Sequence, residues 1–111
     1  MARVGVVIPA YRVSQQILDV IAGIGPEVDV IFVVDDACPE DSGALVREEC
    51  PDPRVRVIER EQNGGVGAAV KTGWRAALDD GCDVVVKIDG DGQMDPGLLP
   101  EFVRPIIDLS L

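Results

Sequence analysis

The segment Asp89-Gly90-Asp91-Gly92-Gln93 carries the clearest chemical signal in the sequence. Alternation along an extended chain places Asp89, Asp91 and Gln93 on one side, and the two glycines leave that side open. These side chains offer hard oxygen ligands, which suit Mg²⁺ or Mn²⁺ and not zinc. The segment therefore predicts a divalent metal site, with a solvated Asp-Gly turn as the structural alternative.

A calcium loop of the EF-hand kind does not fit the same segment. Such a loop needs glycine where this chain has Met94, and a bidentate glutamate where it has Pro100.

A second group of polar residues follows two earlier apolar runs, in Pro9-Ala10-Tyr11-Arg12 and in Asp35-Asp36-Ala37-Cys38. In an open parallel sheet, ligands bind beyond the carboxyl ends of the strands. Acidic groups from different strands would then gather at one edge, where like charges cost stability unless a cation joins them. A divalent metal is the expected partner.

Four units of a strand followed by a helix should position these residues. Apolar, β-branched runs predict strands at 4–8, 28–34, 55–58 and 84–88, the first ended by Pro9. Helical spacing predicts a helix after Ser14 as N-cap up to Gly25-Pro26, and a second after Asp41 or Ser42 up to Glu49. A continuous apolar stripe over 66–78, which includes Trp74 as a core residue, predicts the third helix. The fourth predicted helix is capped by Asp95 and runs to 107.

Apolar strands that alternate with amphipathic helices predict an α/β fold: a Rossmann-like three-layer sandwich with a mainly parallel sheet of about four strands. The 111 residues are expected to form a single domain.

Composition excludes several functions. The net charge of −10 disfavours nonspecific binding of nucleic acid and of anionic membranes. The absence of histidine removes histidine-based catalysis and ordinary imidazole zinc sites. Three cysteines without a Cys-x-x-Cys pair indicate free thiols in a reducing compartment, and no apolar run is long enough to predict a signal peptide or a membrane span.

The glycine-rich segment Gly64-Gly65-Val66-Gly67 is weak evidence alone. It follows the third strand, and Val70 interrupts the Gly-x-Gly-x-x-Gly pattern that a dinucleotide-binding oxidoreductase carries after its first strand. A tight turn that lets a helix pack on the sheet and a direct phosphate contact both remain open readings.

Taken together, four segments resemble the nucleotide-binding half of a family-2 glycosyltransferase of GT-A fold, in the dolichol-phosphate mannose synthase-like branch. The segments stand in the family's order and cover nearly the whole chain. They are Val7-Ile8-Pro9-Ala10-Tyr11-Arg12, the stretch from Val33 to Ser42, Asn63-Gly64-Gly65-Val66-Gly67-Ala68-Ala69 with Gly73, and Asp89-Gly90-Asp91-Gly92-Gln93-Met94-Asp95-Pro96.

The resemblance implies a role for each site residue. Tyr11 and Asp36 would face the base of a UDP- or GDP-sugar, Pro9 would shape the turn, and Asp35 would support the pocket. Asp89, Asp91 and Gln93 would hold Mg²⁺ or Mn²⁺ against the diphosphate, and Asp91 would also contact the donor nucleotide. No catalytic residue is assigned.

Arg12, Cys38 and Glu40 depart from the family pattern. Members also continue beyond this length into an acceptor-binding segment, so the chain is expected to be a fragment that binds donor without catalysis. Its expected location is the cytoplasm, with the full-length protein a candidate for association with the cytoplasmic face of a membrane. A polyprenyl phosphate is the acceptor that this branch implies. Self-association is expected through an exposed edge of the sheet or the apolar last helix.

Two rival functions share the alternating architecture. A phosphoacceptor receiver domain, the main alternative, needs its acidic pair after the first strand, whereas Asp35 and Asp36 follow the second. A nucleotidyltransferase needs a glycine-rich turn with arginine and lysine after the first strand, where this chain has Pro9-Ala10-Tyr11.

Overall fold

The computed structural model describes residues 3–11, 15–37, 39 and 41–88. Its strands are β1 (Val4–Ala10), β2 (Val30–Asp35), β3 (Val55–Glu59) and β4 (Val84–Lys87), and its helices are α1 (Ile17–Ala22), α2 (Ser42–Glu49) and α3 (Gly65–Asp79). The strands form one parallel sheet in the order β3-β2-β1-β4. This arrangement confirms the predicted α/β fold and its four-stranded parallel sheet.

Strands β1, β2 and β4 have buried side chains on both faces of the sheet, whereas strand β3 is only partly buried. Successive side chains of each strand point to opposite faces. On one face, Ile8 and Val33 pack in a core with Ile17 of α1 and Val46 of α2. On the other face, the core formed by β1, β2 and β4 packs against Ala69 and Ala77 of α3. The sheet is thus the middle of three layers, as predicted.

Pro9 does not end the first strand, which was a wrong prediction. The strand continues to Ala10, and Pro9 pairs in register with Val34 of β2. The carbonyl of Val7 accepts a hydrogen bond from the N–H of Ile88 and therefore faces β4. Because backbone groups alternate in direction along a strand, the nitrogen of Pro9, two residues later, also faces β4. The ladder between β1 and β4 has ended at Val7, so the missing N–H of proline costs no ladder bond there.

Several other boundaries differ from the sequence predictions. Helix α1 begins after Gln16, whose side chain makes no capping hydrogen bond, and Ser14 lies outside the described residues. Strand β2 begins at Val30. The residue before it, Asp29, accepts a hydrogen bond from the N–H of Val4 through its side chain and donates its own N–H to the carbonyl of Val4. The predicted helix over 95–107 also lies outside the described residues.

Helix α3 packs unusually close to the sheet at Gly73. A Cβ added there would overlap the side chain of Val7 and lie 3.0 Å from Cγ2 of Val34. Trp74, predicted to be core, is only partly buried against that core, and Leu78 at the end of the predicted stripe is 52% exposed. The face of α3 on the sheet is therefore narrower than its apolar stripe.

Two cysteines, Cys50 and Cys82, are free thiols, as expected, and Cys38 lies outside the described residues. Burial raises the pKa of the Cys82 thiol. Among the residues that the structure describes, no helix is long and apolar enough to cross a membrane.

Candidate functional site

The carboxyl ends of β1 and β2 meet at one edge of the sheet, as the sequence predicted. Ala10 pairs in register with Asp35, and the N–H of Asp36 donates to the carbonyl of Ala10. Tyr11 follows β1 at this edge and is 41% exposed, whereas Asp36 is 3% exposed. The edge therefore combines an accessible aromatic ring with a buried carboxylate.

Asp35 connects this edge to helix α2. Its carboxylate oxygen Oδ2 accepts a hydrogen bond of 2.9 Å from the N–H of Gly43, in the first turn of α2. Asp41 is the N-cap residue in the left-handed conformation, but its side chain makes no capping hydrogen bond. The helix end is thus capped from the sheet by Asp35.

Asp36 connects the same edge to helix α3, on the opposite face of the sheet. Its Oδ1 accepts bonds from Arg60 Nε at 2.8 Å and from the N–H of Gly64 at 3.1 Å. Its Oδ2 accepts a bond of 2.9 Å from the N–H of Gly65. A helix N-terminus favours an anion, and here a carboxylate of the chain itself takes that place.

The glycine-rich segment therefore forms a turn before α3, which was one of the two roles that the sequence left open. Gly65 has a φ of +86°, a conformation that favours glycine. A Cβ on Gly64 would lie 2.8 Å from Arg60 Nη2 and equally close to the Cβ of Ala68. The amides of Gly64 and Gly65 are bound to Asp36, so these two donors are not directed at a phosphate.

Arg60 is the residue that the sequence reasoning missed. Beyond its bond to Asp36, its Nη1 donates to the hydroxyl of Thr72, and that hydroxyl donates to the carbonyl of Ala68 at 3.1 Å. A sequence signal was present, because Arg60 is a lone cation between Glu59 and Glu61 at the end of β3. A cation placed beside an acidic pair is a candidate partner for it.

Open clefts flank Arg60 on the surface. One of about 440 Å³ is lined by Arg60, Glu61 and Gln62, and one of about 220 Å³ lies against α3 between Arg60 and Arg75. A groove of about 590 Å³ lies elsewhere, between α1 and the segment that leads into β3. The clefts at Arg60 thus lie near the carboxyl end of β3, whereas the groove lies away from it.

The predicted metal ligands Asp89, Asp91 and Gln93 lie outside the described residues. Within the described part, no group of three or more potential ligands could hold a metal ion. Ile88, buried and bonded through its N–H to the carbonyl of Val7, extends the pairing of β4 with β1 up to the start of this segment. The oxygen donors of the segment fit Mg²⁺ or Mn²⁺ by their chemistry.

Solved structures of similar fold include two with a nucleotide and Mn²⁺. Glucosyl-3-phosphoglycerate synthase from Mycobacterium tuberculosis, solved with Mn²⁺, UDP and glucosyl-3-phosphoglycerate, is 29% identical with a TM-score of 0.72. The match covers 96% of this chain and 40% of that one. The mannosyltransferase PcManGT from Pyrobaculum calidifontis, solved with GDP-Man and Mn²⁺, is 27% identical with a TM-score of 0.65, over 81% of this chain and 28% of that one.

Sequence comparison points the same way. The chain is 35% identical to the undecaprenyl-phosphate mannosyltransferase of Micrococcus luteus over 108 residues, which are 94% of this chain and 44% of that protein. The chain thus spans less than half the length of this relative. The family model for Glycosyl transferase family 2 matches residues 5–110. Because that match spans nearly the whole chain, the protein belongs to glycosyl transferase family 2.

Proposed function

We propose that this chain binds the nucleoside diphosphate of a sugar donor in a metal-dependent glycosyltransferase that uses a polyprenyl-phosphate acceptor. The observation that carries the proposal is the meeting of Tyr11 and Asp36 at the carboxyl ends of neighbouring strands β1 and β2. Ligands of open parallel sheets bind at such an edge. Family membership and the nucleotides bound by the similar solved structures support it.

At the base end, Tyr11 offers an exposed aromatic ring on which a base can stack. The carboxylate of Asp36 accepts hydrogen bonds and would take one from an N–H of the base. Pro9 holds the backbone before Tyr11 in an extended conformation, and Asp35 ties the same edge to α2. These four residues form the proposed nucleoside pocket.

At the diphosphate end, Asp89, Asp91 and Gln93 would hold Mg²⁺ or Mn²⁺. The ion supplies positive charge that stabilises the nucleoside diphosphate as a leaving group. A cation is needed in a chain of net charge −10, whose own field repels a diphosphate. Asp91 is proposed to serve both the metal and the donor nucleotide.

The rest of the reaction is assigned to no residue of this chain. We therefore expect residues 1–111 to act as a nucleotide-sugar-binding domain that binds donor without transferring sugar. The polyprenyl-phosphate acceptor is supported by the name of the Micrococcus relative, an undecaprenyl-phosphate mannosyltransferase. The receiver-domain alternative lacks support, because the acidic pair lies at the end of β2 and not after β1.

Calorimetry of GDP and UDP with and without Mn²⁺ tests the proposal. We expect Mn²⁺ to strengthen binding of one nucleotide, and Asp91→Ala to lose that gain. Equal affinity with and without Mn²⁺ would contradict the metal site.

The nucleoside pocket needs a separate comparison. Asp36→Ala should weaken binding of the nucleoside diphosphate more than binding of inorganic pyrophosphate with Mn²⁺, because only the former carries a base. Equal losses for both ligands would show that Asp36 acts through the diphosphate end or through the fold.

Self-association through β4 is also proposed. Strand β4 lies at an edge of the described sheet and pairs there only with β1. An edge strand offers backbone N–H and C=O groups to a second chain.

A further inference from the structure

We propose that Arg60 and Thr72 are positioning residues of the nucleoside pocket, which act on a bound base through Asp36. The inference rests on the proposed function and adds two residues to it. Neither lies among the four proposed pocket residues, and Thr72 lies on α3 eight residues after the N-cap Gly64.

A continuous path of hydrogen bonds joins the body of α3 to the carboxylate of Asp36. The carbonyl of Ala68 accepts a bond from the hydroxyl of Thr72, and that hydroxyl accepts one from Arg60 Nη1. Nε on the same guanidinium donates to Asp36 Oδ1 at 2.8 Å. Because the guanidinium is planar, fixing Nη1 on Thr72 also fixes the direction in which Nε points.

The carboxylate has little freedom once Arg60 is in place. Its side chain is 4% exposed, and it receives donors from Arg60, Gly64 and Gly65. A carboxylate has about four acceptor positions. Among the described residues, these three bonds leave one position on Oδ2, which is where a base N–H would donate.

Arg60 also supplies the only side-chain charge that contacts Asp36 within the described part of the chain. Removing one partner of a buried ion pair leaves a charge without compensation, which is costly. A carboxylate held only by Gly64 and Gly65 would move toward water, and the free position on Oδ2 would move with it. Arg60 therefore determines the geometry that a base meets.

Four substitutions separate this role from a general effect on the fold. Arg60→Gln removes the charge and the Nη1 donor that binds Thr72, leaving at most a neutral amide N–H near Asp36, and Arg60→Lys keeps the charge but loses the planar fork. Thr72→Val removes the hydroxyl that orients Arg60, and Thr72→Ser restores it. Arg56→Gln is the matched control, because Arg56 is an exposed residue of β3 whose guanidinium, among the described residues, donates only to the backbone carbonyls of Pro53 and Val55.

Affinity is measured by calorimetry in Mn²⁺ for GDP, UDP and inorganic pyrophosphate. We expect Arg60→Gln to weaken nucleoside diphosphate binding by about tenfold, on the scale of replacing a charge-assisted hydrogen bond with a neutral one that is no longer held in place by Thr72. Arg60→Lys should fall between Arg60→Gln and wild type. Thr72→Val should weaken nucleotide binding, Thr72→Ser should recover it, and pyrophosphate binding and Arg56→Gln should stay at wild-type levels.

Equal losses for nucleoside diphosphate and pyrophosphate would overturn the inference, and so would a Thr72→Ser variant as weak as Thr72→Val. The amide resonances of Gly64 and Gly65 give a second measurement that needs no ligand. They should shift in Arg60→Gln and Thr72→Val and stay in place in Arg56→Gln. If wild type binds neither nucleotide, the proposed function fails, whereas unmoved glycine amides in Arg60→Gln would instead reject the role of Arg60 itself.

Discussion

Asp35 and Asp36 are neighbours in sequence, and each binds the N-terminus of a different helix on an opposite face of the sheet. Asp35 accepts the N–H of Gly43 in α2, and Asp36 accepts the N–H groups of Gly64 and Gly65 at the start of α3. Alternation of side chains at the end of β2 makes this division possible. The acidic pair is therefore a structural joint between three layers as well as a candidate ligand site.

Removal of the Asp35 carboxylate should destabilise the chain through α2. Asp35→Ala would leave the buried N–H of Gly43 without this acceptor, at a cost of about 1–3 kcal/mol. Asp41→Asn removes the same charge near the same helix end, and asparagine also tolerates the left-handed conformation of that position. Urea unfolding should show a large loss for Asp35→Ala and a change within about 0.5 kcal/mol for Asp41→Asn. Similar losses in both variants would contradict the capping role.

Substitution at Gly73 should report the close approach of α3 to the sheet. Gly73→Ala would place a methyl group against Val7 and Val34, and overpacking of this kind costs about 1–3 kcal/mol. Gly67→Ala in the same helix meets no atom within 4 Å and should stabilise by up to about 1 kcal/mol through helix propensity. In thermal and urea unfolding, the two variants should therefore change the free energy of unfolding in opposite directions. A Gly73→Ala variant as stable as wild type would show that α3 can move away from the sheet.

Much of the fold was predictable because β1, β2 and β4 are apolar on both faces and the helices are amphipathic. The boundaries that failed depend on contacts across the sheet. Pro9 stays within β1 because the ladder with β4 has already ended, which the local sequence does not show. The capping of α2 and α3 by Asp35 and Asp36 joins residues 8 and up to 29 positions apart, beyond the reach of local capping rules.

The candidate site was likewise only partly predictable from the sequence. The edge formed by Tyr11, Asp35 and Asp36 follows from strand ends that are visible in the sequence. The role of Arg60 does not, because its contacts with Asp36 and Thr72 require β2, β3 and α3 to be assembled first. The charge pattern of the sequence indicates Arg60 as a partner for an acidic residue, but the folded structure is needed to identify that residue as Asp36 and not Asp35.

Stability should depend on pH through Asp52 and Arg54. A hydrogen bond from Arg54 lowers the pKa of Asp52 below its ordinary value. Because the folded pKa is the lower one, the pair contributes its full stability above the unfolded pKa and loses it as pH falls through the folded pKa. Arg54 also donates to the carbonyls of Ile24, Gly25 and Val28, so the pair anchors the chain after α1.

The measurement is the free energy of unfolding of wild type and Asp52→Asn from pH 6 to pH 2. The two proteins should differ most at pH 6, and the difference should shrink below about pH 4 as Asp52 becomes protonated. A difference that stays constant over this range would show that the ionised form of Asp52 contributes nothing.

Self-association through β4 should depend on salt and on an outward backbone N–H of that strand. The N–H of Ile88 donates to β1, so alternation along the strand turns the N–H of Val85 to the outer side of β4. A net charge of −10 opposes pairing of two copies, and salt screens that repulsion. We expect light scattering at increasing protein concentration to show a mass above the monomer that rises with NaCl.

Val85→Pro removes the outward donor at an edge where proline is tolerated and should shift the mass toward monomer, whereas Val85→Ala keeps the donor and serves as the control. A monomeric wild type at high concentration in high salt, or equal association of the two variants, would contradict pairing through β4.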